Sequence, residues 1–471
     1  MVDILSESNQ GTAVPRRASQ STQFRQHIDA YSTSIAEAAS KHTAKRDAAN
    51  LEGLEHWLPY YAGYTESFAR TLIQAASLDG RKLTVLDPWN GSGTTTRAAI
   101  ELGHAGLGCD INPVATLAAS AKLANAQDAM HVSGLVQHLA KATLEASISP
   151  IDPLLAWLPR SAVKRFRAIQ RGILTELSTS PNGEVLSPNE SAIPPLASFL
   201  LLALIRAART IATFKPSSNP TWSRSAGVMR RYQAGRIEHE WALQVRTMAD
   251  DLAKACASFA SGAGAMATIE LANSKSLPFQ EESVDFVLTS PPYCTRIDYA
   301  KGTSFELAAL GVSEATEDYR TLRLNAMGTP LSRPGGEASA DTRHSDEVVA
   351  LLASIKSHPS KASSTYYHRT YAQYFTDCHT SLSEIMRVLK PGGIAALIVQ
   401  SSYYKEIYVD LPQLYVSEAT RIGFDSSVAG VTKVSRAFSQ MNPKSSAYMQ
   451  KKSYEESVVL LKKSASGEVR P

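Results

Sequence analysis

The sequence predicts an α/β fold: a mostly parallel sheet that closes with an antiparallel terminal hairpin and carries a large helical insertion. Three observations predict it. Short apolar runs at 83–86, 105–109, 267–271, 284–289 and 394–399 have the near-continuous hydrophobicity of strands buried on both faces. The first two end at acids, Asp87 and Asp110, with a glycine-rich turn and a helix between them. From about 126 to 260 no strand pattern occurs and helical periodicity takes over.

A chain of 471 residues is long enough for two or three domains, or for one domain with large insertions. It opens MVDILSESNQ, with neither a basic nor an apolar leader segment, so no signal peptide is expected. The longest apolar run, 195–205, is cut off by Arg206 and Arg209 and reads as a buried helix rather than a membrane span. The four cysteines, Cys109, Cys256, Cys294 and Cys378, lie far apart with no CxxC pair. That argues against a zinc site or a disulfide framework and suits a reducing cytoplasm. Net charge is +4, but residues 157–236 hold twelve Lys/Arg against three Glu. Such a concentration is either a footprint for a polyanion or a set of solvated helix faces.

In chain order, residues 1–21 are rich in Ser, Gln and Thr and are expected to be disordered. Residues 23–54 are Ala-rich and helical in pattern. An aromatic stretch, 56–64, then leads into a helix at 68–76 with Thr65 as its N-cap. Its aromatics either pack the core or floor a pocket for a flat ligand. The strand at 83–86 runs into Asp87-Pro88-Trp89-Asn90-Gly91-Ser92-Gly93-Thr94, with a helix from about 97. Glycines there let the backbone approach a ligand closely, and the helix N-terminus presents free N–H groups. No Lys follows the glycines, so a phosphate cradle is not expected and a nucleoside or carboxylate ligand suits the turn better. Asp110, nineteen residues after Gly91 and closing the second strand, stands where Rossmann-like folds hold ribose hydroxyls.

The insertion carries helical patterns at 132–146, 153–177, 197–213 and 238–259, with a long loop at 214–235. The sheet resumes at 267–271, ending at Asn273. Segment 327–345, rich in Gly, Pro and Ser, is expected to be mobile. A helix at 371–389 should stop at Lys390-Pro391-Gly392-Gly393. Strands near 426–434 and 457–461 should form the terminal hairpin. The strand at 284–289 delivers Ser290-Pro291-Pro292-Tyr293, a stiff loop bearing a hydroxyl, a carbonyl and a ring. It leaves the carboxyl end of a strand, where ligands of open α/β sheets bind. Cys294 reads as buried and inert, and Asp298 and Tyr299 either assist at the site or cap the next helix.

Taken in order, DPWNGSGTT, GCDINP, LTSPPY and RVLKPGG resemble a class I S-adenosylmethionine-dependent DNA amino-methyltransferase, SPPY being similar to the cytosine-N4 type. The resemblance covers about 56–125 and 266–463. It implies a cofactor-binding half at 22–125, a helical insertion at 126–260 that could recognise the target, and a catalytic half at 261–471. It implies S-adenosylmethionine as cofactor, with Tyr64 covering it, Asp87 and Pro88 at its methionine end, and Gly91, Gly93 and Thr94 along it. Asp110 would hold the ribose and Ile111 would pack on adenine. Asn273 stands where the family usually has Asp, and Trp89 and Asn90 depart from the usual turn.

The chemistry agrees with the resemblance. An exocyclic amino nitrogen is a poor nucleophile, because its lone pair is delocalised into the ring. Two acceptors, the Ser290 hydroxyl and the Pro291 carbonyl, would favour a pyramidal nitrogen, with Tyr293 stacked on the base. The base must leave the duplex stack to be reached. Positioning dominates, and the reaction calls for no metal. The implied partner is DNA, with a role as the modification enzyme of a restriction or defence system. Arg224, Arg230 and Arg231 are the candidate phosphate contacts. Alternatives are adenine-N6 or RNA methylation, or a catalytically silent nucleic-acid-binding subunit.

Overall fold

The computed structural model describes residues 30–41, 53–58, 63–141, 147–177, 193–217, 222–228, 232–257, 266–294, 297–333, 343–434 and 453–465. The expected arm at 1–21 lies outside them, as do Arg230 and Arg231.

Nine strands are described: β1 (Thr84–Asp87), β2 (Ala105–Asp110), β3 (Ala267–Leu271), β4 (Val284–Thr289), β5 (Leu389–Gln400), β6 (Ser402–Tyr404), β7 (Ile407–Val409), β8 (Asp425–Val434) and β9 (Tyr454–Lys462). Seven form one sheet in the order β3-β2-β1-β4-β5-β9-β8, and β6 and β7 pair separately. The first five run parallel, and β9 lies antiparallel to both β5 and β8. This is the expected Rossmann-like sheet, mostly parallel with an antiparallel terminal hairpin. The chain builds outward from β1 through β2 to β3, then returns to the other side of β1 for β4. That reversal opens a crevice at the carboxyl ends of β1 and β4.

Alternation along the strands feeds two cores. Leu86, Val287, Leu397 and Val459 pack on one face. Val85, Phe286, Leu288, Ala396 and Val458 pack on the other. The second face is covered by α1 (30–41), α2 (Glu66–Ala76) and α3 (Thr94–Glu101), through Ile35, Phe68, Leu72 and Ala98. Thr65 caps α2 as expected, accepting from the Phe68 N–H.

The β2–β3 connection holds α4 (Pro113–Ala121), α5 (Ala126–His131), α6 (Ser133–Lys141), α7 (Arg160–Leu177), α8 (Pro195–Ile211) and α9 (Arg236–Ala257). They share a third core with Trp57. The expected apolar helix is α8, buried along most of its length, and no described helix is long and apolar enough to cross a membrane. After β4 come α10 (Tyr299–Gly302), α11 (Ser304–Ala309) and α12 (Glu317–Asn325). Next are α13 (Asp346–Ser357), α14 (His368–Val388) and α15 (Leu411–Ile422), which cover the first face of the sheet through Val348, Phe375 and Leu414.

The structure corrects two expectations. Helix α3 begins at Thr94, not 97, because Gly93 takes a left-handed φ of 84° and opens the helix one turn early. A side chain at Gly93 would also bring its Cβ within 2.9 Å of the Ala119 Cβ, so this glycine sets the approach of α3 to α4. Lys390-Pro391-Gly392-Gly393 ends α14 as expected but already belongs to β5, where Gly392 N–H donates to the Lys463 carbonyl. Of the segment 327–345, residues 334–342 lie outside the described residues; at its start Met327 and Thr329 are buried and Arg333 forms an ion pair with Asp377.

Candidate functional site

The crevice is a cleft of about 940 Å³ of non-atom space, partly open to solvent. Its walls include Tyr64, Asp87, Pro88, Gly91, Thr94, Asp110, Ile111, Asn273, Ser290 and Pro292, all singled out from sequence. Gly93, Pro291 and Tyr293 do not line it.

Asp87 ends β1 and is buried. One carboxylate oxygen accepts from the Thr289 hydroxyl at 2.6 Å and the Trp89 N–H at 3.2 Å. The other lies 2.6 Å from the Thr95 hydroxyl and 3.3 Å from that of Tyr64. The Thr95 and Tyr64 hydroxyls also touch each other and the Leu288 carbonyl, so both carboxylate oxygens are met by a shared protein network. Burial raises the Asp87 pKa, while the bonds from Thr289, Thr95, Trp89 and Tyr64 oppose the rise. What Asp87 offers the cleft is therefore negative charge rather than a vacant acceptor. Thr289, which the sequence marked only as a flank of the SPPY loop, ties the ends of β4 and β1 together.

Asp110 is differently placed. Its two oxygens accept from the Gly91 N–H at 3.0 Å and the Asn112 N–H at 2.8 Å, leaving acceptor capacity toward the cleft. Burial pushes its pKa up to about 6; the two amide bonds pull it down and the charge of Asp87 raises it. Asn112 caps α4 and donates to the Thr303 hydroxyl, fixing the chain after Ile111. Asn90 explains the unusual turn. It sits where a Cβ on Gly108 would fall 2.5 Å from its Cγ, and Thr96 donates to its side-chain oxygen. Gly108 is thus the space that lets Asn90 support the turn from below.

On the far wall, the Ser290 hydroxyl donates to the Ile398 carbonyl at 3.1 Å and lies 3.4 Å from the Tyr293 hydroxyl. The Tyr293 ring packs beside the cleft against the core under α14, and burial raises its pKa. Tyr374 on α14 donates to the Pro292 carbonyl at 2.8 Å. One turn on, Asp377, Ser381 and Glu384 form a polar stripe at helical spacing. Asp377 binds Lys275 and Arg333, Ser381 meets Ser274, and Glu384 accepts from the Leu277 N–H. The stripe holds the turn after β3, where the Asn273 side-chain oxygen accepts from the Lys275 N–H. Sequence reasoning missed Trp89, Asn112, Asn325 and Met327 as walls, and Tyr299, left open between two roles, lines the cleft too. Cys294 is buried, and Asp298 caps α10 while pairing with Arg323.

Four cations of the basic segment are engaged internally, while Arg160, Lys164, Arg171, Lys215 and Arg224 are exposed. Arg165 pairs with Glu238, and Arg167 with Asp152. Arg206 donates to the Trp57 carbonyl, and Arg209 pairs with Glu306. Arg224 lies over the Trp222 ring and lines a second cleft with Lys215 and Lys301.

Replacing Thr289 with Val removes a bond to a buried carboxylate, an interaction worth about 1.5–3 kcal/mol. Urea denaturation should show a loss of about 2 kcal/mol in Thr289→Val and little loss in Thr289→Ser. Equal stability of all three proteins would refute the tie between β1 and β4.

A family model described as DNA methylase (N6_N4_Mtase) matches residues 14–120. The Type II methyltransferase M.AvaI of Nostoc sp. is 27% identical over 161 residues, 32% of this chain and 33% of the relative. Its counterpart in Anabaena variabilis matches equally. This chain therefore spans about a third of the length of those two relatives. The Type II methyltransferase M.BsoBI of Geobacillus stearothermophilus is 20% identical, with 79% of each chain covered. Among solved structures, the rRNA methyltransferase aviRa of Streptomyces viridochromogenes aligns at 12% identity over 92% of this chain and 100% of its own. Its TM-score of 0.30 is too low to carry an argument. The chain is thus similar to DNA methylases over residues 14–120 and to Type II methyltransferases over part or most of its length.

Proposed function

We propose that the chain transfers a methyl group from S-adenosylmethionine to the N4 amino group of a cytosine flipped out of DNA, as the modification enzyme of a restriction system. The observation that carries this reading is the Ser290 hydroxyl. Its proton is taken by the Ile398 carbonyl, so its lone pairs remain to accept from an amino group in the cleft.

The residues present fit the cofactor. Asp110 keeps acceptor capacity for ribose hydroxyls, and Ile111 and Trp89 supply apolar surface for adenine. Asn273 presents an amide that can both donate and accept, although one lone pair is engaged by Lys275. The charge of Asp87 favours a ligand with a cationic methionine end. When bound, S-adenosylmethionine supplies a methyl group activated by its sulfonium.

The chain's own task is to aim the nucleophile. Ser290 accepts from one amino hydrogen, drawing the nitrogen toward a pyramidal shape, while Pro291, buried behind the cleft, stiffens the loop that carries it. Tyr374 anchors the Pro292 carbonyl and so fixes the loop. Pro292 and Tyr299 offer the flat surfaces on the cleft side, and Tyr293 braces Ser290 from behind. Such positioning in a low-dielectric site is the main source of acceleration.

Mass spectrometry of nucleosides from DNA and RNA incubated with the enzyme and cofactor tests the reading directly. N4-methylcytosine in DNA is expected; N6-methyladenine, or methylation confined to RNA, would overturn it. Ser290→Ala should slow transfer about 100-fold with cofactor affinity nearly unchanged, and wild-type turnover in that variant would remove Ser290 from the mechanism. Cofactor affinity should weaken as pH falls through about 6, because protonation takes an acceptor from Asp110. Calorimetry at several pH values should show this slope in the wild type and none in Asp110→Asn. Neutralising Arg224, Arg230 and Arg231 together should lower the salt slope of DNA binding by about 0.9 for each phosphate these side chains engage. An unchanged slope would make them solvated surface.

A further inference from the structure

Away from the cleft, His344, His379 and Glu418 converge from three parts of the chain. His344 precedes the Ser345 N-cap of α13, His379 stands on α14 and Glu418 on α15. None of the three lines the cleft, and the proposed methyl transfer uses none of them. We propose that they bind a divalent transition-metal ion, zinc by the donor set, which fastens the 343–345 segment to α14 and α15.

The geometry carries this. The Nδ1 atoms of both histidines lie 3.2 Å from the same carboxylate oxygen, Glu418 Oε2. A charged N–H···O⁻ bond normally closes to about 2.7–2.9 Å. Two ligands of a tetrahedral zinc at its usual bond lengths stand about 3.3 Å apart. The two spacings match two edges of a coordination tetrahedron and sit at the long end of the N–H···O range. All three ligand atoms lie within 4.8 Å of one another. Two imidazoles and a carboxylate are a familiar zinc set, with a fourth position for water.

Burial points the same way. The Glu418 side chain is 0% exposed, and among the described residues its ion-pair partners are these two histidines. The carboxylate accepts from both histidines and the Ser345 N–H, and a divalent ion would take the place of the two Nδ1 protons while adding a full counter-charge. Its other oxygen accepts from the Ser345 N–H at 2.6 Å, and the Ser345 hydroxyl meets that of Ser417 at 3.1 Å. These contacts orient the ligand as outer-shell partners of metal sites do. His379, 22% exposed, leaves the ion a path from solvent. No local motif announces the site, since the ligands are 35 and 39 residues apart in sequence.

The test uses the untagged full-length chain, stripped with chelator and exchanged into metal-free buffer. Titrated with zinc sulfate, it should bind one ion per chain in calorimetry and melt at a higher temperature. Cobalt chloride should give the strong visible absorption of a four-coordinate ion. His379→Ala and Glu418→Gln should lose the bound ion, the melting shift and the absorption. His358→Ala, at a histidine whose partner is the exposed Glu406, should keep all three. A wild-type chain that binds neither ion, or binding and absorption that persist in both ligand variants, would overturn the proposal. The wild-type measurement stands even if a variant fails to fold.

Discussion

The hydrogen bond from Thr289 to Asp87 joins the two strand ends on which the site depends. β1 and β4 are neighbours in the sheet but far apart in sequence, and their loops diverge as soon as the strands stop. One carboxylate gathers the end of β4, the first turn of α3, the Trp89 amide and the Tyr64 ring. It does so at a cost, for burial disfavours its charge. The hydroxyl and amide groups around it offset that cost, and the result is a crevice whose two walls keep a fixed separation. The glycine turn and the SPPY loop face each other because of it.

Much of the fold was legible because each strand is short, apolar and closed by a recognisable end. The alternation of Val85, Leu86, Phe286, Val287 and Leu288 between two cores leaves little freedom of register. Part of the cleft was legible too, since Asp87, Gly91 and Asp110, picked out at and after strand ends, line it. What it could not show was direction. Tyr293 follows two prolines and was assigned to the cleft, yet its ring turns to the core under α14. Asp87 was assigned to a ligand, yet protein donors surround it.

The basic segment shows the same limit from the charge side. Counting Lys and Arg treats every cation as available to solvent. Arg167 is buried and binds Asp152 and the Ala308 and Ala309 carbonyls, so its charge closes the end of a helix rather than meeting a phosphate. Arg206 does the same for the chain at Trp57. Long cationic side chains can serve as internal struts wherever helix ends leave carbonyls unpaired. Composition cannot tell a strut from a contact, because the partners are brought together only by tertiary packing.

Helix α14 touches the frame of the cleft at three points: Tyr374 on the Pro292 carbonyl, Asp377 on Lys275 and Arg333, and Ser381 on Ser274. All three belong to one rod of 21 residues. Errors in the positions of these walls are therefore correlated. If thermal motion shifts the rod, the proline loop, the turn after β3 and the segment at 333 travel together, and the distances among them survive. The helix works as a shared reference length for parts that the sequence keeps far apart.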